Sequence, residues 1–230
     1  MAPVLSLPKT CLDRVREAVS LAVVSIWELD EFSGKKISCR SGFIWYHSSG
    51  LCIAVTLRKG LDVKRKILAR FENGQCFEGF LSFGGDNSNL AAIILANDFS
   101  FEPKSVPLCN DQVRPGQDVV HMGFFDETNP ELNFSSGTIA LVGHNTIINN
   151  EEFTRFVHCC SEKLHLLGGP VFSLKGEVVG VNYSKKDKKN LYFALDCKQL
   201  AKEIKLLFGE NGEYVNDMVK LARKKKRRTN

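Results

Sequence analysis

The sequence predicts an all-β fold: two six-stranded barrels in succession, followed by a C-terminal helix. Three observations carry that expectation. Short apolar runs bounded by Gly, Asn, Asp or Ser recur at the spacing of an all-β protein. They fall into two sets of similar extent, divided near Glu102–Val106. After the second set a helical period appears over Cys197–Phe208. A length of 230 residues suits one such double barrel.

The first set of strands is expected at Val23–Leu29, Ser41–Trp45, Leu51–Thr56, Lys66–Phe71, Cys76–Phe83 and Ala91–Leu95. The second follows Pro107, at Asp118–Met122, Phe134–Val142, Phe153–His158, Pro170–Ser173, Glu177–Tyr183 and Tyr192–Leu195. Turn residues separate many of them, as in Glu72-Asn73-Gly74 and Leu174-Lys175-Gly176. Helices are expected at Leu12–Ser20 and at Cys197–Phe208. In the latter, Leu200, Ile204, Leu207 and Phe208 share a face and Gly209 ends the run. A further short helix is expected at Tyr214–Arg223. The expected organisation is an N-terminal segment (1–14), a double-barrel domain (15–209, halves about 15–105 and 106–209) and a basic tail (210–230).

Sixteen phenylalanines supply enough apolar bulk for a core without covalent staples. The net charge of +5 is unevenly placed: Lys220–Asn230 holds seven Lys or Arg and no acid, leaving 24 basic against 26 acidic residues before it. Basic character therefore belongs to a tail, and nucleic acid is not the expected partner of the fold itself. Within the tail, Arg223, Lys224, Lys225, Lys226, Arg227 and Arg228 read as a nuclear localisation signal.

The start of the chain lacks the basic and apolar regions of a signal peptide. No run approaches the length of a membrane span, so no membrane partner is expected. The eight cysteines are then expected as reduced, buried, small apolar residues of a nuclear or cytoplasmic protein. His158, Cys159, Cys160 and His165 lie close in sequence, but adjacent cysteines point to opposite faces of a strand, and a zinc site is not expected. No metal and no cofactor is expected.

Eight stretches carry a more specific signal. Gly168-Gly169-Pro170-Val171-Phe172, then Gly176-Glu177-Val178-Val179-Gly180-Val181-Asn182, then Phe193-Ala194-Leu195-Asp196 resemble the region after the nucleophile in trypsin-like serine peptidases of the Deg/HtrA type. Upstream, Val23-Val24-Ser25-Ile26 and Ser41-Gly42-Phe43-Ile44 resemble that family's early strands. Asn73-Gly74-Gln75 with Phe77 is similar to its D-G-R-x-F hairpin. Val113–Val120 with Gly123, and Ser136-Gly137-Thr138-Ile139, resemble later strands. The motifs occur in the family's order over roughly residues 15–208.

The resemblance implies a chymotrypsin-type double barrel and also marks where a catalytic triad would sit. Its nucleophile place falls on Leu167, its histidine place on Leu57 and its aspartate place on Asn89. The family's glycine two residues before the nucleophile, which shapes the oxyanion hole, is His165 here. Leucine offers neither a nucleophilic atom nor a basic nitrogen, and Asn carries no charge to steady an imidazolium. The expectation is a non-catalytic protease homologue that binds a protein or an extended peptide. The alternative is a serine-type endopeptidase or hydrolase with a rearranged site. In the family, substrate adds to an exposed strand of the second barrel, which implies Val181, Asn182, Tyr183 and Ser184 as the binding edge. Lys185-Lys186-Asp187-Lys188-Lys189 is expected as a solvated loop beside it.

Overall fold

The structure is a computed structural model and describes residues 9–48, 50–83, 88–96, 99–124, 131–148, 151–160, 167–186 and 191–209, with Val215 and Lys220. It opens with α1 (Lys9–Val19) and one 3-10 turn (Ser20–Ala22). Six strands follow: β1 (Val23–Leu29), β2 (Lys36–Ser48), β3 (Leu51–Leu57), β4 (Lys66–Phe71), β5 (Cys76–Phe83) and β6 (Leu90–Ala96). The second half contains β7 (Asp118–Phe124), β8 (Leu132–Ile148), β9 (Glu151–His158), β10 (Pro170–Phe172), β11 (Val178–Lys186) and β12 (Leu191–Asp196), then α2 (Cys197–Phe208).

The strands close into two antiparallel barrels, ordered β1-β2-β3-β6-β5-β4 and β10-β11-β12-β9-β8-β7. Closure removes open sheet edges, which a free six-stranded sheet would have to protect. In the first barrel β1 completes the ring by pairing with β4, from Val24↔Phe71 to Leu29↔Lys66.

All seven residues of β3 are buried, and their alternation explains why. Cys52 and Ala54 point into the first barrel, while Leu51, Ile53, Val55 and Leu57 point out into a second core. That outer core is shared by both barrels and includes Phe43, Leu90, Val120, Met122, Phe124, Phe172 and Val181. A strand buried on both faces reads as a continuous apolar run.

α2 seals one side of the shared core. Asp196 caps its start by accepting from the Gln199 amide at 2.8 Å, and Gly209, at φ +79°, follows its last turn. Leu200, Ile204, Leu207 and Phe208 are buried, and Phe208 stacks on Trp45 of β2 with ring centroids 4.5 Å apart. No helix of the described residues is long and apolar enough to cross a membrane.

Several boundaries correct the sequence reading. β8 runs to Ile148, well past Val142, because polar His144-Asn145-Thr146 continues its ladder with β9. Lys185 and Lys186 belong to β11 and pair with Tyr192 and Leu191, so the expected loop begins later. The cysteines also divide: Cys52, Cys109, Cys160 and Cys197 are buried as expected, but Cys76 is exposed.

Candidate functional site

Leu57, Asn89 and Leu167, the three positions that the family resemblance marks, are brought together where β3, the start of β6 and the loop before β10 converge. Leu57 pairs with Leu90 across the β3–β6 ladder, and the Arg58 amide donates to the Asn89 carbonyl at 2.7 Å. From the second barrel, Leu167 accepts from the Ser41 amide through its carbonyl at 3.1 Å. Gly168 then donates to the Asn182 carbonyl, and the Asn182 amide donates to the Gly169 carbonyl, both at 2.9 Å.

The Gly168 turn is built for close approach. Its φ is +80°, in the left-handed region that favours glycine. A Cβ there would lie 2.2 Å from Thr56 Oγ1, 2.4 Å from the Ser41 carbonyl oxygen and 3.2 Å from the Leu57 amide nitrogen. Thr56 Oγ1 is itself fixed, donating to the Ser41 carbonyl at 2.7 Å. The backbone scaffold around position 167 is thus tightly specified, although the side chains on it are apolar.

Those side chains differ in access. Leu57 is 1% exposed and belongs to the shared core, whereas Leu167 is 42% exposed. Asn89 is turned toward α2: its amide group donates to Glu203 Oε1 at 3.0 Å and its backbone N–H to Glu203 Oε2 at 2.9 Å. Ser88 Oγ and Gln199 Nε2 donate to the same carboxylate at 3.0 and 3.2 Å. Glu203 is fully buried and held here by uncharged donors. Sequence reading missed this role, because Glu203 stands 114 residues from Asn89 and no local pattern links them.

Arg40 caps the end of β3 from beneath, donating to the Leu57 carbonyl at 3.0 Å and to the Lys59 carbonyl at 2.8 Å. Its charge faces Glu28, 3.7 Å away and 1% exposed. Burial lowers the Arg40 pKa, with Glu28 opposing that shift.

Behind Asn182 lies a second buried network, also unforeseen. His158 Nε2 donates to Asn182 Oδ1 at 2.6 Å, and Asn182 Nδ2 donates to His121 Nε2 at 2.7 Å. The Cys160 amide donates to His158 Nδ1 at 3.4 Å, which fits the same tautomer. Burial lowers the His158 pKa to about 4, with the bond to Asn182 opposing, and lowers His121 well below the ordinary histidine value. Both rings are therefore neutral near pH 7. The Cys160 thiol is pushed up to about 12 by burial, which suppresses its thiolate.

Much of the backbone of the four residues expected as the peptide edge is already paired within the barrel. Val181 pairs with Pro170 on one side and Leu195 on the other, and both backbone groups of Asn182 bond to the Gly168–Gly169 turn. A bulge at Tyr183 follows, after which Ser184 pairs with Phe193 and Lys185 with Tyr192. Alternation along the ladder then points the Lys185 N–H and C=O away from β12, to the side of the Leu167 turn. His165, the expected oxyanion-hole place, and the tail Arg223–Arg228 lie outside the described residues.

Among the described residues no group of three or more His, Cys, Asp or Glu is placed to hold a metal. A groove of about 670 Å³ lined by Cys109, Asp111, Arg114, Gln117, Lys175 and Glu177 does not include the three marked positions.

Two closed antiparallel six-stranded barrels meeting at a glycine turn define the double-barrel peptidase class of fold. The chain belongs to the trypsin-like peptidase domain family, whose model matches residues 40–181. Among solved structures, the inactive form of the Rv3671c protease has a TM-score of 0.70 and 17% identity, over 89% of this chain and 98% of that one. An inactive serine-to-alanine mutant of Rv3671c from M. tuberculosis H37Rv gives the same score and identity, over 90% and 97%. At that identity the likeness concerns the fold. No curated protein matches the sequence significantly.

Proposed function

We propose that this chain is a catalytically silent member of the trypsin-like family that binds an extended protein segment. The reading rests above all on Leu57, Asn89 and Leu167 standing together where the family's base, orienting acid and nucleophile belong. Loss of the serine or the histidine alone lowers turnover by on the order of a million-fold. The bonds from Asn89 to Glu203 support the same reading, since that amide already serves the joint with α2. His121 and His158 offer no substitute base, being buried, neutral and bonded to Asn182.

Binding does not require the triad. An extended segment adding to β11 would use the backbone of Lys185, and the exposed Leu167 side chain would supply an apolar anchor beside it. The basic run Arg223–Arg228 fits nuclear import of such a module. A large fluorescent fusion of the whole chain should then concentrate in nuclei, and one ending at Val219 should not.

The central test is labelling with a fluorophosphonate probe alongside prolonged incubation with casein. Neither labelling nor cleavage is expected, and Leu167→Ser alone should not create either. Labelling that disappears when a serine elsewhere is replaced would overturn the reading and establish a rearranged hydrolase.

A further inference from the structure

One rim of the first barrel, which meets the site above only through the backbone of Arg58 and Lys59, combines exposed apolar side chains with an excess of bases. It is formed by the β1–β2 turn and by the segment joining β3 to β4. The two are contiguous: Leu29 pairs with both Lys36 and Lys66, and Glu28 Oε1 accepts from the Asp62 amide at 3.0 Å with Arg65 at 3.9 Å.

Three large apolar side chains stand out from this rim: Phe32 is 96% exposed, Val63 59% and Ile37 43%. Phe32 is held in that position by a rigid turn. Asp30 Oδ1 accepts from the Phe32 amide at 3.2 Å, the Ser33 amide at 2.8 Å and Ser33 Oγ at 2.8 Å. Main-chain bonds from Gly34 to Asp30 and from Asp30 to Lys35, at 2.9 and 2.8 Å, lock the same turn. An exposed apolar tip on a preorganised backbone loses little conformational freedom when it is buried by a partner.

Bases outnumber acids on the rim. Segments 30–37 and 58–66 carry seven Lys or Arg against three acids, whereas acids outnumber bases over residues 1–219 as a whole. Lys35, Lys59, Lys64 and Lys66 are exposed. Protruding apolar groups on a rim that also carries exposed lysines are the chemistry of a surface that meets anionic headgroups and dips into the layer beneath.

We propose that this rim docks on a bilayer containing anionic lipids. Phe32 and Val63 enter the headgroup boundary, while Lys35, Lys59 and Lys64 face the headgroups. A nucleic acid would also satisfy the cations, but it gives aliphatic Val63 and Ile37 no apolar surface, since only the Phe32 ring has a face on which bases stack. This departs from the expectation of no membrane partner, which rested on the lack of a spanning run that a peripheral contact does not need.

The test is co-sedimentation of the full chain with vesicles of phosphatidylcholine alone or with about 30 mol% phosphatidylserine. Wild type is expected to pellet with the anionic vesicles only, and to be released by about 0.5 M salt. Phe32→Ala should weaken binding about tenfold or more, and Lys59→Glu with Lys64→Glu by at least about fivefold for each site. Phe32→Trp should show a blue-shifted emission on the anionic vesicles. Because Phe32 is almost wholly exposed, its variants should fold, as circular dichroism would check. The basic tail is present throughout, so anionic-vesicle binding left unchanged by all the rim variants would assign it to the tail and overturn the proposal. No binding at all would also overturn it, as would tighter binding to a single-stranded oligonucleotide with the same residue dependence.

Discussion

The two barrels bury polar groups by opposite means. The first encloses charge: Glu28 accepts from Ser38 Oγ and the Asp62 amide and faces Arg40 and Arg65. The second encloses neutrality, with one asparagine amide joining two uncharged imidazoles. Charge in a low-dielectric interior is stable only while its partner is present, so the first arrangement fails when a partner is removed. A neutral pair needs no counter-charge and fails when it gains a proton. Glu203 stands between the two, as a buried carboxylate held by neutral donors where the first barrel meets α2.

Removal of a charge should have the largest effect. Glu28→Gln leaves the Arg40 side chain, 8% exposed, without its nearest anion and should cost about 3–5 kcal/mol. For a chain of this size the melting temperature should fall by roughly 10 °C. Adding Arg40→Met should recover much of that loss. A double variant no more stable than Glu28→Gln would mean that the two side chains are not energetically coupled.

Acid should act on the second barrel first. The folded pKa of His158 is lowered, so its unfolded form binds protons more readily and stability rises with pH. The stability is complete above the unfolded value near 6.5 and is lost progressively as pH falls toward about 4, a change of about 3 kcal/mol. His121 acts in the same direction. Amide exchange, corrected for intrinsic rates, should show β7, β9 and β11 losing protection before β1–β4 between about pH 6.5 and 4.5. A His158 ring titrating near 6.5 by NMR would contradict the buried neutral pair.

A smaller effect is expected where a second carboxylate is placed against Glu203. Asn89→Asp replaces a donor 3.0 Å from Oε1 by an acceptor of like charge and should destabilise by about 1–3 kcal/mol in urea titration. Glu203→Gln in that background should restore part of it. If Asn89→Asp is neutral, the joint to α2 tolerates a charged aspartate place, and reversal of the triad becomes structurally easier.

Much of the fold was legible because apolar runs and turn residues agree. β1, β4, β5 and α2 begin and end where the sequence reading places them. Legibility failed where polar residues extend a strand, as in β8 beyond Gly143 and in β11 through Lys185 and Lys186. Local composition there favours a loop, and pairing with a neighbour overrides it. The three marked positions were legible from the motifs around them. The side-chain roles of Glu203, His121 and Asn182 were not, since each acts through contacts between strands or helices distant in sequence.

Gly168 also sets an order of events during synthesis. Its cradle, formed by Ser41, Thr56 and Leu57, belongs wholly to the first barrel, whose last strand ends at Ala96. At ribosomal rates the intervening chain takes about 4 to 14 seconds to appear. Through that interval β7 can already reach Ser41, whose Oγ accepts from the Phe124 amide at 3.1 Å, and the arrival of Gly168 completes the joint between the two halves. A side chain at this position would therefore act late, on the docking of one finished half against the other, rather than on the formation of either.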